Sequence, residues 1–144
     1  MNQKQAERLL TLAWFLRSVP PEHFDLRTYA HQHKRRATWE IGSRLDVLAA
    51  TTECGTTACA LGWATVLFPD KLQLRVMEDC CGEPDPALYV DGIWSAYCKE
   101  AVCDYFGLTE LEACSAFGPD NCRTPREEAA FLEEIALNYG WEYV

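Results

Sequence analysis

Eight cysteines and three histidines in 144 residues are the side chains with most chemistry to offer. Cys54 is the cysteine best placed to react. It opens the stretch Cys54-Gly55-Thr56-Thr57-Ala58-Cys59, which runs on into Ala60-Leu61-Gly62-Trp63. Apolar residues at helical spacing predict a helix over 54–68. Cys54 would then stand at its N-terminus, where the positive end of the dipole favours a thiolate. The amides of Thr56 and Thr57 could hold an oxyanion. A thiol nucleophile also needs a base, yet His23, His31 and His33 all precede Cys54 and no histidine follows it. His31 or His33 would have to serve, with Asp46 or Glu40 orienting the ring.

The remaining cysteines allow three readings. In one helix, the i, i+5 pairs Cys54/Cys59 and Cys98/Cys103 would hold their Cα atoms beyond about 7 Å, too far for a disulfide. No C-x-x-C occurs, so the spacing for structural zinc is poor and no metal is assigned. Packing as small apolar side chains inside helices suits Cys59, Cys98, Cys103 and Cys114 best. His31 and His33 have H-x-H spacing without a partner cysteine or carboxylate close by. They belong to the basic cluster His31, His33, Lys34, Arg35 and Arg36, which reads as a solvated loop or as a contact for phosphate or a nucleotide. No phosphate-binding glycine pattern, H-E-x-x-H or G-x-S-x-G is present, so no cofactor is called for.

The elements that must position these groups are mostly helical. The 54–68 helix is apolar all round and has to be wrapped by the rest of the chain. Thr51 or Thr52 would cap its start and Pro69 stop it. Gly62 in its interior costs about 1 kcal/mol against Ala, which a closely approaching neighbour backbone would justify. A first helix over 3–19 carries Ala6, Leu9, Leu10, Ala13 and Leu16 or Phe15, with Trp14 counted as core. Phe24 and Leu26 tuck back from a turn. Residues 37–50 fit a helix better than a strand, although Gly42 weakens that reading. Residues 72–77 and 87–90 alternate as strands and form one hairpin. Helices follow over 93–106, from Thr109 with Glu112 as a capping box, and from Thr124 with Pro125 and Glu127. Gly140 ends the last, and Trp141 and Tyr143 fold back as a short tail. The expected fold is mainly α: a single compact helical domain around a central buried helix, with one small β-hairpin.

The net charge is −9, unevenly placed. Residues 1–50 hold eight Lys and Arg against five Asp and Glu, whereas residues 51–144 hold five against seventeen. An acidic body disfavours nucleic acid and suits a basic partner or simple solubility. Glu127, Glu128, Glu133 and Glu134 lie at helix-surface spacing, as solvated carboxylates or as such a binding surface. No segment is long and apolar enough to span a bilayer. The N-terminus leads into an amphipathic helix without an apolar signal core, so cytoplasmic residence is expected.

The pattern Cys54, Gly55, Thr56, Cys59, Gly62, Ala64, with Trp63 inside it, resembles a motif of small phage and bacterial proteins of uncharacterised function. Those proteins carry an early Phe-Asp turn, here Phe24-Asp25. They also have a late segment like Ala101 to Ala113, with Phe106-Gly107-Leu108-Thr109 at its centre, and then a Pro-led last helix. The resemblance implies a structural motif and no activity. The region 34–52 and the extra cysteines depart from it. The Cys54 segment is also similar to the nucleophile segment of papain-like peptidases, which place their histidine downstream. The leading reading is a non-catalytic, cytosolic, phage-encoded protein that occupies a host protein, for example an inhibitor of a bacterial defence system such as an anti-CRISPR. Two other readings stand beside it: a hydrolase using Cys54, and a nucleotide or small-ligand binder using residues 31–36.

Overall fold

The computed structural model of the chain describes residues 1–30, 39–54 and 57–138, with backbone alone at 52–54. Helix α1 (Gln3–Leu16) opens with a reciprocal cap: the Asn2 side chain accepts from the Gln5 amide at 2.9 Å, and Gln5 accepts from the Asn2 amide at 2.8 Å. Ala6, Leu9, Leu12, Ala13 and Leu16 are its buried stripe. Trp14 points the other way and is 73% exposed, so its assignment to the core is corrected. A single 3₁₀ turn at Pro21–His23 follows, and Phe24 and Leu26 turn inward as expected.

The long helix expected over 54–68 does not form. Helix α2 (Val47–Cys54) ends at Cys54, and helix α3 (Ala60–Leu67) starts only at Ala60. Tertiary hydrogen bonds decide this. Ala58 donates to the carbonyl of His23 at 3.0 Å and accepts from Asp25 at 3.1 Å, while the Cys59 amide donates to Thr28 at 2.9 Å. Residues 57–59 are therefore extended against 23–28, in a parallel bridge of Phe24 with Ala58. Cys59, at φ −79° and ψ 177°, becomes the N-cap, and its sulfur accepts from the Gly62 amide at 3.4 Å. Neither Thr51 nor Thr52 caps α3. The shorter helix is buried over Ala60 to Thr65, and Trp63 donates its indole N–H to the His23 carbonyl at 3.0 Å.

Four strands form one antiparallel sheet in the order β1 (Arg44–Leu45), β2 (Leu72–Glu78), β3 (Pro84–Val90), β4 (Ile93–Ser95). Together with six helices among the described residues, this makes a mixed α/β fold and corrects the mainly helical expectation with one hairpin. Two local signals account for the extra strands. Asp91 (φ 52°) and Gly92 (φ 77°) both have positive φ, the conformation of a two-residue hairpin turn. They pair Val90 with Ile93, so the start of the helix expected at 93 is instead β4. Near the front, Gly42 has positive φ (91°) and Arg44 and Leu45 pair with Arg75 and Leu74, so the helix expected over 37–50 forms only from Val47, as the start of α2.

Helix α4 (Glu100–Phe106) ends at Gly107 in the left-handed conformation. Helix α5 (Glu110–Phe117) has the expected Thr109/Glu112 box, with bonds of 2.8 and 3.1 Å. Helix α6 (Pro125–Asn138) has the Thr124/Glu127 box at 3.0 and 3.1 Å. The expected stop at Gly140 and the tail with Trp141 and Tyr143 lie outside the described residues. The helices and the inner sheet residues Leu72, Leu74, Val76, Leu88 and Val90 share one buried cluster. Gln5 and Arg8 of α1 donate to the carbonyls of Asp104 (2.7 Å) and Tyr105 (2.8 Å), satisfying backbone acceptors at the end of α4. No described helix is long and apolar enough to cross a membrane.

The close approach anticipated at Gly62 is present: a Cβ there would lie 2.2 Å from the Tyr29 carbonyl oxygen and 2.9 Å from Ala58 Cβ. Backbone on one side and a packed methyl on the other leave nothing flexible to yield. Gly62→Ala is expected to destabilise the protein by about 3 kcal/mol or more, read as a lowered midpoint in urea unfolding. Gly42→Ala, which meets nothing within 4 Å but sits at positive φ, should cost less.

Candidate functional site

Of the residues in the sequence motif, Cys59 lines a cavity. Residues 26–29 and the end of α5 around Phe117 and Pro119 line the same cavity of about 320 Å³, closed on another side by Tyr97. The Cys59 thiol is buried there, and desolvation pushes its pKa up to about 12 against the pull of hydrogen bonds from Gly62 and Leu61. It stays a neutral thiol at physiological pH, which suits a cap and a packing group rather than a nucleophile. Burial likewise raises Tyr29, well above the ordinary tyrosine range.

Cys54 closes α2 instead of opening a helix. It therefore does not stand at the N-terminus of α3, where Cys59 is the cap. Gly55, Thr56, His31, His33, Lys34, Arg35 and Arg36 fall outside the described residues. The His23 Nδ1 is buried with no hydrogen-bond partner among the described residues. Cys98, Cys103 and Cys114 gather in one place. Cys103 Sγ donates to the Cys98 carbonyl at 3.7 Å, and desolvation followed by the neighbouring Cys98 raises both Cys103 and Cys114. Cys98 lies in the turn before α4, not inside a helix as expected. Among the described residues no group of three or more His, Cys, Asp or Glu could hold a metal ion.

The acidic surface assigned to α6 is largely engaged elsewhere. Glu127 spends its carboxylate on the Thr124 cap, which holds its pKa below the usual range. Glu133 forms a two-point pair with Arg17 of α1, one bond of 2.8 Å. Glu128 is fully buried, so its place on a solvated face is corrected. Of the four, Glu127 and Glu134 are exposed and Glu133 is half-buried.

What the sequence reading missed is the outer face of the sheet. Gln73, Arg75 and Met77 on β2, Ala87 and Tyr89 on β3, and Trp94 on β4 point away from the helices. Trp94 is directly opposite Tyr89, which is opposite Gln73. Arg44 is opposite Arg75, whose guanidinium lies 5.7 Å from the centre of the Tyr89 ring. Trp94 is 59% exposed and Ile93 at the edge 70%. Neither Arg44 nor Arg75 has a carboxylate partner among the described residues: Arg44 donates to Pro69 and Arg75 to Gln73. The available signal was Asp91-Gly92 before Ile93-Trp94, a hairpin pattern that places Trp94 on the polar face. Strand β4 covers only Leu88–Val90, and the open remainder of β3 carries Pro84 and Pro86, which cannot donate to an added strand. This arrangement favours recognition by the face over recognition by the edge.

Compared with protein-family models, with curated proteins and with solved structures, the chain matches none.

Buried Glu128 gives the protein a titration of its own. Arg123 donates to its Oε1 at 3.1 Å and also to the Ser115 carbonyl at 2.7 Å, while lying over the Phe131 ring. Oε2 has no partner among the described residues. Desolvation outweighs the attraction of Arg123 and pushes the carboxyl up to about 8. With the folded pKa above the unfolded one, the folded chain holds an extra proton between them. The stability this contributes is full below about pH 4.5 and is lost as pH rises toward 8. Urea midpoints should therefore fall from about pH 5 to about pH 8 in the natural chain, and this fall should be smaller in Glu128→Gln.

Proposed function

We propose that this chain is a binding protein, and that it works by occupying a partner protein through the outer face of its sheet. The observation that carries this reading is Trp94, exposed on a strand opposite Tyr89, on a sheet face whose Arg75 lies near the Tyr89 ring and whose Arg44 and Arg75 have no carboxylate partner among the described residues. Trp, Tyr and Arg are the residues on which binding energy concentrates. A large ring held on a sheet loses little entropy when it is buried. The partner this face suits has an apolar slot for the indole ring and carboxylates at the slot's rim for Arg44 and Arg75. The buried Cys59 thiol and the position of Cys54 at the end of α2 support binding over thiol catalysis. The motif's resemblance to small phage and bacterial proteins supports a host protein as the target, and an inhibitor of a defence system is one such role. The binding surface would be the sheet, not the acidic helix face first considered.

Trp94→Ala should weaken capture of the host partner by about 2 kcal/mol or more, roughly 30-fold. Arg75→Glu should weaken it further at low salt than at high salt. Both side chains lie outside the core, so thermal unfolding should barely change. Titration calorimetry against the captured partner checks this. Equal affinity for Trp94→Ala and the natural chain would refute the assignment of the face.

A further inference from the structure

We propose that Cys80 and Cys81, at the tip of the β2–β3 hairpin, form a two-thiol site for a trivalent arsenical. The two sulfurs are 3.8 Å apart and both residues are exposed. The turn that presents them is held from within. Asp79 Oδ1 accepts from the Cys81 amide at 2.8 Å and from the Glu83 amide at 2.9 Å. The Asp79 amide donates to the Glu83 carbonyl at 2.9 Å, and Gly82 takes the positive φ (80°) that the turn requires. The thiols are thus placed side by side before any ligand arrives.

Neighbouring residues cannot easily close on each other. Consecutive Cα atoms are about 3.8 Å apart across a trans peptide, shorter than the roughly 4.4–6.8 Å span of ordinary disulfides. The pair is better suited to share a third atom than to bond directly. Zinc wants four ligands in a structural site, and the tip offers two thiols. An arsenic(III) centre takes two sulfurs and keeps its third substituent. Glu78, Asp79, Glu83 and Asp85 surround the tip in sequence and repel anions, so the reagent that enters is a neutral arsenic(III) oxide or hydroxide, and anionic arsenate is excluded. With an organic arsine oxide, both S–H bonds break and two As–S bonds form. The two protons leave with the oxide oxygen as water. Arsenic stays trivalent, so no oxidant or reductant is needed.

The test treats the full chain with phenylarsine oxide in excess 2-mercaptoethanol and counts adducts by intact-mass spectrometry. One adduct per chain should survive the monothiol and be removed by a dithiol. Two linked ligands bind about 10²–10⁴-fold more tightly than one, so Cys80→Ser and Cys81→Ser should each lose at least about 100-fold in affinity. Cys122→Ser, which removes another exposed thiol, should keep the adduct. Fragmentation of the natural chain's adduct places the arsenic without relying on any variant's folding. Arsenic mapped to Cys98, Cys103 or Cys114, an adduct that persists in Cys80→Ser, or one lost in Cys122→Ser overturns the proposal.

Discussion

A short backbone seam holds this fold together. Residues 23–28 and 58–59 exchange three hydrogen bonds, and immediately beyond them the Tyr29 carbonyl lies against Gly62 with no room for a Cβ. These bonds satisfy backbone groups that would otherwise be buried without partners. They also set where α3 begins, because Cys59 must be extended to bond Thr28 and so becomes the cap rather than a helical residue. The chemistry of the sulfur follows from that position. A thiol that accepts a backbone N–H in an apolar interior is held neutral, and it serves the fold.

From the seam the two layers follow. Helix α3 delivers the chain to β2, and the inner residues of β2 and β3 meet the helices. Helix α1 lies across α4 and α6, held by Gln5 and Arg8 to carbonyls at the end of α4 and by Arg17 to Glu133. Covering one face of a four-stranded antiparallel sheet leaves the other open to solvent. That is why Trp94, Arg44 and Arg75 stand exposed on the sheet.

Charge is arranged against the same background. The sequence carries a net −9, yet several of its carboxylates are internal devices: Glu127 and Glu112 in capping boxes, Glu133 in a pair, and Glu128 buried beside Arg123. Counting acids therefore overstates the acidic surface of α6. Arg44 and Arg75 count for little in the total but stand opposite each other on β1 and β2, and Arg75 lies near the Tyr89 ring.

Local rules were enough to read much of the chain. The capping boxes at Thr109 and Thr124, the stop at Gly107, the strand pattern of 72–77, the inward turn of Phe24 and Leu26, and a close approach at Gly62 all depend on neighbours in sequence or on a single steric demand. Tertiary structure decided the rest. The helix over 54–68 gave way because buried backbone at 58 and 59 bonds to His23, Asp25 and Thr28, far earlier in the chain, which outweighs local helical preference. Ile93 and Trp94 became strand because a positive-φ turn at Asp91-Gly92 folds them onto β3, although the apolar spacing of 93–106 also suits a helix. Glu128 looked like its neighbours on a polar face until the packing of α6 buried it. Trp14 and Trp94 have the composition of core residues, and only the position of the helical layer leaves both of them outside.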